Sequence, residues 1–97
     1  MCQVDIKPSP KPGKKKMAVF TDCKTGAVKK VHFGASGMSD FTKHHDIARR
    51  ERYFKRHNRR ENWENPFTAG SLSRYILWNK DTLEESISDF KKRFNFK

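Results

Sequence analysis

From Met17 onward, apolar and polar positions alternate in short runs. Residues 17–23 and 27–33 are both rich in strand formers and flank Lys24-Thr25-Gly26, a pattern that predicts a β-hairpin with Gly26 supplying a positive φ at its turn. In the second arm Val31 and Phe33 would face one way and Lys30 and His32 the other. Two strands alone are marginal in water, so the apolar face of the hairpin must rest on helices or on another protein. Residues 34–40 read as a loop by composition.

Three helical patterns follow. Asp46 is placed to cap a helix over about 47–58, with Ile47 and Phe54 seven apart on a packing face and Arg49, Arg52, Arg56 and Arg59 recurring at spacings of three and four on another. Asn65-Pro66 interrupts the chain, and Thr68 or Ser71 would cap a short helix over 72–78, where Leu72, Tyr75 and Ile76 share a face. Thr82 and Glu85 form a capping box that opens a last helix, with Leu83, Ile87, Phe90 and Phe94 as its apolar stripe. Acidic residues lead this helix and Lys91, Lys92 and Arg93 close it, as the helix dipole favours.

Residues 1–16 differ in kind. Three prolines, Gly13 and five lysines dominate them, which predicts an extended, mobile basic arm. The expected organisation is therefore α+β: an arm over 1–16, then a single small domain over 17–97 with an N-terminal β-hairpin packed on about three short helices. Ninety-seven residues supply one modest core, and the 12 aromatic residues (eight Phe, two Trp, two Tyr) mark real packing. Lys and Arg outnumber Asp and Glu by 22 to 11, a formal charge of +11 that calls for an anionic partner. Cys2 and Cys23 lie in no CxxC pair and no apolar signal segment precedes them, so a reducing compartment is expected. Apolar runs reach four residues, far short of the roughly 20 needed to cross a bilayer.

Enzymatic constellations are poorly supported. His44-His45-Asp46 and His57-Asn58 superficially suggest a nuclease metal site, but they flank the most basic helix, where a divalent cation is repelled. Cys23, His32, His44, His45 and His57 lack the paired spacing of a zinc site. No Walker loop, dinucleotide turn or nucleophile elbow occurs, Gly34-Ala35-Ser36-Gly37 is too short for a phosphate cradle, and Ser36 lacks a supporting base. The expectation is a protein with no catalytic residues, metal, cofactor or small-molecule substrate.

Between residues 43 and 60, eight Lys and Arg face only Asp46 and Glu51, with Tyr53 among them. A solvated helix, a nucleic-acid surface and a dock for acidic proteins or anionic headgroups all fit such a stretch. The candidate contacts are the basic Lys14, Lys15, Lys16, Arg49, Arg52, Arg56 and Arg59 and the aromatics Tyr53, Trp63, Phe67 and Trp78, since Trp and Arg are enriched at interfaces.

From about Lys29 to Phe94 the text Lys-Lys-Val-His-Phe-Gly, Gly-Met-Ser-Asp-Phe-Thr, Arg-Arg-Glu-Arg-Tyr, Glu-Asn-Trp, Thr-Ala-Gly-Ser-Leu-Ser-Arg-Tyr-Ile-Leu-Trp-Asn-Lys and Thr-Leu-Glu-Glu-Ser-Ile resembles a family of small, basic, largely uncharacterised proteins. These are encoded by large nucleocytoplasmic DNA viruses, chlorella-virus and mimivirus-like. The family pattern commonly has an aromatic at the place of Met38 and Trp at that of Tyr75, and it does not extend before Lys29. The resemblance implies a viral origin and a virion location after synthesis in the host cytoplasm or nucleus, and it carries no catalytic residues across. The resulting expectation is a structural virion component, a minor capsid protein bridging or cementing the shell from inside. Its partners would be the major and other minor capsid proteins, with nucleic acid or an anionic membrane surface as further possibilities. The alternative is a non-sequence-specific DNA-binding or DNA-condensing protein using the same basic residues.

Overall fold

The computed structural model describes residues 2–37, 39–58 and 62–97. Three antiparallel strands, β1 (Gln3–Pro8), β2 (Lys14–Thr21) and β3 (Val28–Ala35), form one sheet in the order β1-β2-β3. Helices α1 (Phe41–His44), α2 (Ile47–His57) and α3 (Ala69–Leu72) follow, then a π-helical turn (Ser73–Leu77) and helix α4 (Leu83–Phe94). The architecture is α+β, with a three-stranded sheet in place of the expected hairpin.

The hairpin itself lies where the alternation put it. Its turn is closed by the Asp22 amide donating to the Ala27 carbonyl at 2.9 Å and the Gly26 amide donating to the Asp22 carbonyl at 2.8 Å. Gly26 takes φ 75°, the left-handed value a side chain resists. The Asp22 carboxylate accepts from the Lys24 amide at 2.9 Å, which lowers its pKa. Gly34 is constrained more tightly: with φ +79°, a Cβ there would stand 2.7 Å from Leu77 Cδ1. Any side chain there would strain the backbone and press the Leu77 side chain aside where β3 meets the π-helical turn.

The N-terminal segment corrects the sequence reading. Among the described residues of the expected arm, 2–16, residues 3–8 form β1, with Val4 opposite Phe20 and Ile6 opposite Ala18. The reason is local alternation hidden beneath the Pro/Lys composition. Val4 is fully buried and Ile6 packs on the same core, while Pro8, Pro10 and Pro12 are gathered at the strand end and the following turn. The strand is fastened at both ends of the chain: a disulfide joins Cys2 to Cys23, and the Val4 amide donates to the Lys97 carbonyl while the Lys97 amide donates to the Cys2 carbonyl.

One face of the sheet contributes Val4, Ala18, Phe20 and Phe33 to the core, the helical segments contribute Leu72, Ile76, Leu77 and Phe90, and the C-terminal tail contributes Phe96. Apart from Ala18, burying side chains of this size stabilises the fold by about 1.5–3 kcal/mol each. The expected caps are present: Asp46 accepts from the Arg49 amide, Thr68 from the Ser71 amide and Thr82 from the Glu85 amide. In α4 Phe90 is buried and Leu83, Ile87 and Phe94 pack beside it, as the stripe predicts. Ile47 does not pack as expected; it is 62% exposed. The first turn of α2 carries exposed Ile47, Ala48 and Arg49, and burial begins at Arg50 and Tyr53, so the periodicity marks the right face while the packed length starts a turn later. The expected helix over 72–78 is α3 followed by the π-helical turn, in which the Trp78 amide donates to the Ser73 carbonyl at 3.1 Å.

Candidate anion-binding face

Asp40 organises the junction between sheet and helices. Its buried carboxylate caps α1 by accepting from the Thr42 amide at 3.1 Å and from the Thr42 hydroxyl, and it pairs with Lys15 Nζ at 2.6 Å. Asp40 is thereby neutralised and the Lys15 ammonium is held on it rather than free for a partner. A like cap at Asp46 starts α2, whose turn then sets Arg49, Arg52, Lys55 and Arg56 along an exposed side. On the inward side Tyr53 is buried and lies flat on Trp78, with ring centres 4.4 Å apart and planes 5° from parallel, while His57 stacks on Tyr53 at 4.3 Å.

Two clefts meet over this stack. One, of about 330 Å³, runs between β2, β3, α2 and α3 and is bordered by Lys14, Lys15, Asp40, Tyr53, Arg56, His57 and Trp78 among others. The second, of about 420 Å³, is bordered by Ser39, Arg49, Arg52, Lys55, Arg56 and Trp78. They share Ser39, Arg56 and Trp78. Among the described residues Asp40 is the one carboxylate on either border, so the combined trough is a cationic surface with an aromatic at its middle.

The structure thus brings together Lys14, Arg49, Arg52, Arg56, Tyr53 and Trp78 of the residues expected at a site. Lys15 is committed to Asp40, and Lys16 borders a separate cleft with Lys43 and Leu83. Arg59 lies outside the described residues. The four aromatics do not form a common outward patch. Trp63 is half-buried with its ring centre 5.9 Å from that of Phe54, and Phe67 lies edge-on to Phe20 at 4.8 Å. Each is held by aromatic packing within the fold, which attracts rings edge-to-face or offset.

Three residues were not anticipated. Lys55 joins the basic face, and the same i, i+3 step from Arg52 predicts it. Arg50 and Arg74 point inward instead. Arg50 donates to the Asn79 carbonyl at 2.8 Å and its guanidinium lies 4.5 Å from the Phe41 ring centre. The Arg74 guanidinium lies 4.0 Å from Phe54, 4.7 Å from Tyr75 and 5.2 Å from Trp63, and burial lowers its pKa. Both are structural cations on aromatic faces. The signal for Arg50 was its i, i+4 relation to Phe54, which places it on the packing side.

The histidines are dispersed. His32 Nδ1 is 2.7 Å from Ser9 Oγ, which also accepts the Lys11 amide within a turn. His44 Nδ1 accepts the Asp46 amide at 2.9 Å, and its buried Nε2 has no hydrogen-bond partner among the described residues. Burial, aided by the Arg49 charge, lowers the His44 pKa. His45 lies 3.4 Å from Asp81. No group of three or more His, Cys, Asp or Glu that could hold a metal occurs among the described residues, and no described helix is long and apolar enough to cross a membrane.

A family model described as a family of unknown function, DUF5754, matches residues 4–57, more than half of the 97-residue chain. The chain belongs to the DUF5754 family. The DUF5754 match runs from β1 to the end of α2, so it takes in all three strands and the basic side of α2, and it stops before Trp63, Phe67 and Trp78. Comparison with curated proteins and with solved structures finds no match.

Proposed function

We propose that this protein is a non-enzymatic structural component of the virion of a large DNA virus, a minor capsid protein that bridges or cements the shell from inside. The viral setting rests on the resemblance carried by residues 29–94. The mode of action rests on one observation: Lys14, Arg49, Arg52, Lys55 and Arg56 line two joined clefts whose single described carboxylate, Asp40, is neutralised by Lys15. Such a surface docks by charge on acidic faces of major and minor capsid proteins, and charge complementarity sets register and encounter rate. A three-stranded sheet fastened by the Cys2–Cys23 disulfide suits a bridging element.

A second reading has an observation in its favour. Trp63 and Phe67 are engaged within the fold, which removes two of the apolar anchors expected of a tight protein–protein contact. That shifts weight from apolar docking to charge, and so toward non-sequence-specific DNA binding. A cryo-EM reconstruction of the purified particle separates the two. The capsid reading expects ordered density for this chain beneath the shell lattice, with α2 facing acidic side chains; absence from the shell and recovery with the genome-associated proteins would overturn it.

A further inference from the structure

We infer that the joined clefts seat a short stretch of single-stranded nucleic acid, with phosphodiesters along Arg49, Arg52 and Arg56 and one base against Trp78. This names the occupant of the basic face and rests on the second reading above, nucleic-acid binding, in place of capsid docking through the same clefts. Three observations carry it. The trough is concave, and the cations border it instead of crowning a convex ridge, whereas a duplex is read by an element that enters its groove. From Arg49 to Arg56 the helix rises about 10 Å, the length of roughly three stacked nucleotides. Finally, Trp78 is half-buried and borders both clefts at their junction, where the parallel ring of Tyr53 backs it with His57 behind and His44 lies tilted beside it at 5.3 Å. A row of cations tracking a backbone beside a stacking ring is how single strands are held without sequence preference. An acidic peptide would engage the cations and offer Trp78 no planar ring of its own.

The neighbouring side chains fit this use. Lys14 extends the positive border onto the sheet, and Lys15 keeps Asp40 from repelling a phosphate.

The test uses the full chain carrying Trp63→Phe, with affinity read from the anisotropy of an end-labelled titrant and contact at Trp78 read separately from its emission. It is titrated in low salt with a single-stranded oligothymidylate of about twelve residues, within the usual span of such sites. The matching duplex and polyglutamate are titrated alongside. Single-strand binding that quenches Trp78 and exceeds duplex binding supports the inference. So does a loss of about tenfold in Trp78→Leu with the salt dependence retained, and a loss of at least tenfold in Arg52→Gln/Arg56→Gln, whose side chains are both exposed. Equal affinity for strand and duplex with unchanged Trp78 emission overturns the inference and leaves the nucleic-acid reading standing. Preference for polyglutamate also overturns it, in favour of an acidic protein partner. Failure to bind any of the three overturns both the inference and the reading of the face.

Discussion

At His44 burial and chemistry pull against each other. Its Nδ1 must be unprotonated to accept the Asp46 amide, and its Nε2 is buried without a partner among the described residues. Burial and the Arg49 and His45 charges favour the neutral ring, with Asp46 and Asp40 opposing. The folded pKa is therefore depressed. In the window between it and the unfolded value of about 6.5, the unfolded chain binds more protons, so stability rises with pH there and is lost as pH falls through the window. Asparagine at this position keeps a side-chain acceptor for the amide two residues on and does not titrate. The expected outcome is that the melting temperature of the unaltered protein falls more between pH 7.5 and pH 5 than that of His44→Asn. Equal falls would assign the acid sensitivity to other groups.

At the scale of elements, what could be read in advance was what short-range chemistry decides. Gly26 marks the hairpin turn, Asp46 and Thr82 with Glu85 mark helix starts, and the four-residue stripe of α4 marks its buried side; each signal lies within one turn or one helix. Strand β1 was missed because its partner is remote, Gln3 pairing with Thr21, and because three prolines and five lysines outweigh the alternation of Val4 and Ile6 in composition. The clefts were missed for the same reason. Lys14, Arg56 and Trp78 belong to different elements, so the sequence offered the basic side of α2 but not the ring set against it. The fastening of β1 can be measured. The disulfide closes a separation of 21 residues, for which the loop-entropy estimate is about 3 kcal/mol. Cys2→Ser should lower stability in urea unfolding by roughly that amount under oxidising conditions and by little in the presence of a thiol reductant. Val4 in the core and the pairing with Lys97 keep β1 in the sheet, so amide exchange in β1 should quicken without matching that of the unfolded chain. Full exchange in β1 alone would mean that the disulfide, not the packing, makes the third strand.

For the whole molecule the governing quantity is an excess of positive charge, +11, that the fold leaves largely uncompensated. Among the described residues, Lys15–Asp40 is a buried pair, while Arg93–Asp89 and Arg50–Glu51 are partly exposed and weak. The remaining cations repel one another, and the face formed by Arg49, Arg52, Lys55 and Arg56 concentrates that repulsion. Stability and binding should therefore answer to salt in opposite directions. Raising sodium chloride from about 20 to about 200 mM shortens the screening length from roughly 20 to 7 Å. That relieves self-repulsion and should raise the melting temperature of the free protein by a few degrees. The same change should weaken a single strand held through three or four phosphates with a log–log slope of about −2 to −3, which is roughly 100- to 1,000-fold over that range. Arg52→Gln/Arg56→Gln should shrink both responses together, since it removes repulsion from the free protein and phosphate contacts from the complex. A variant that lost the binding response while keeping the full rise in melting temperature would place the strained charge elsewhere on the surface, and the basic side of α2 would then be a binding face only.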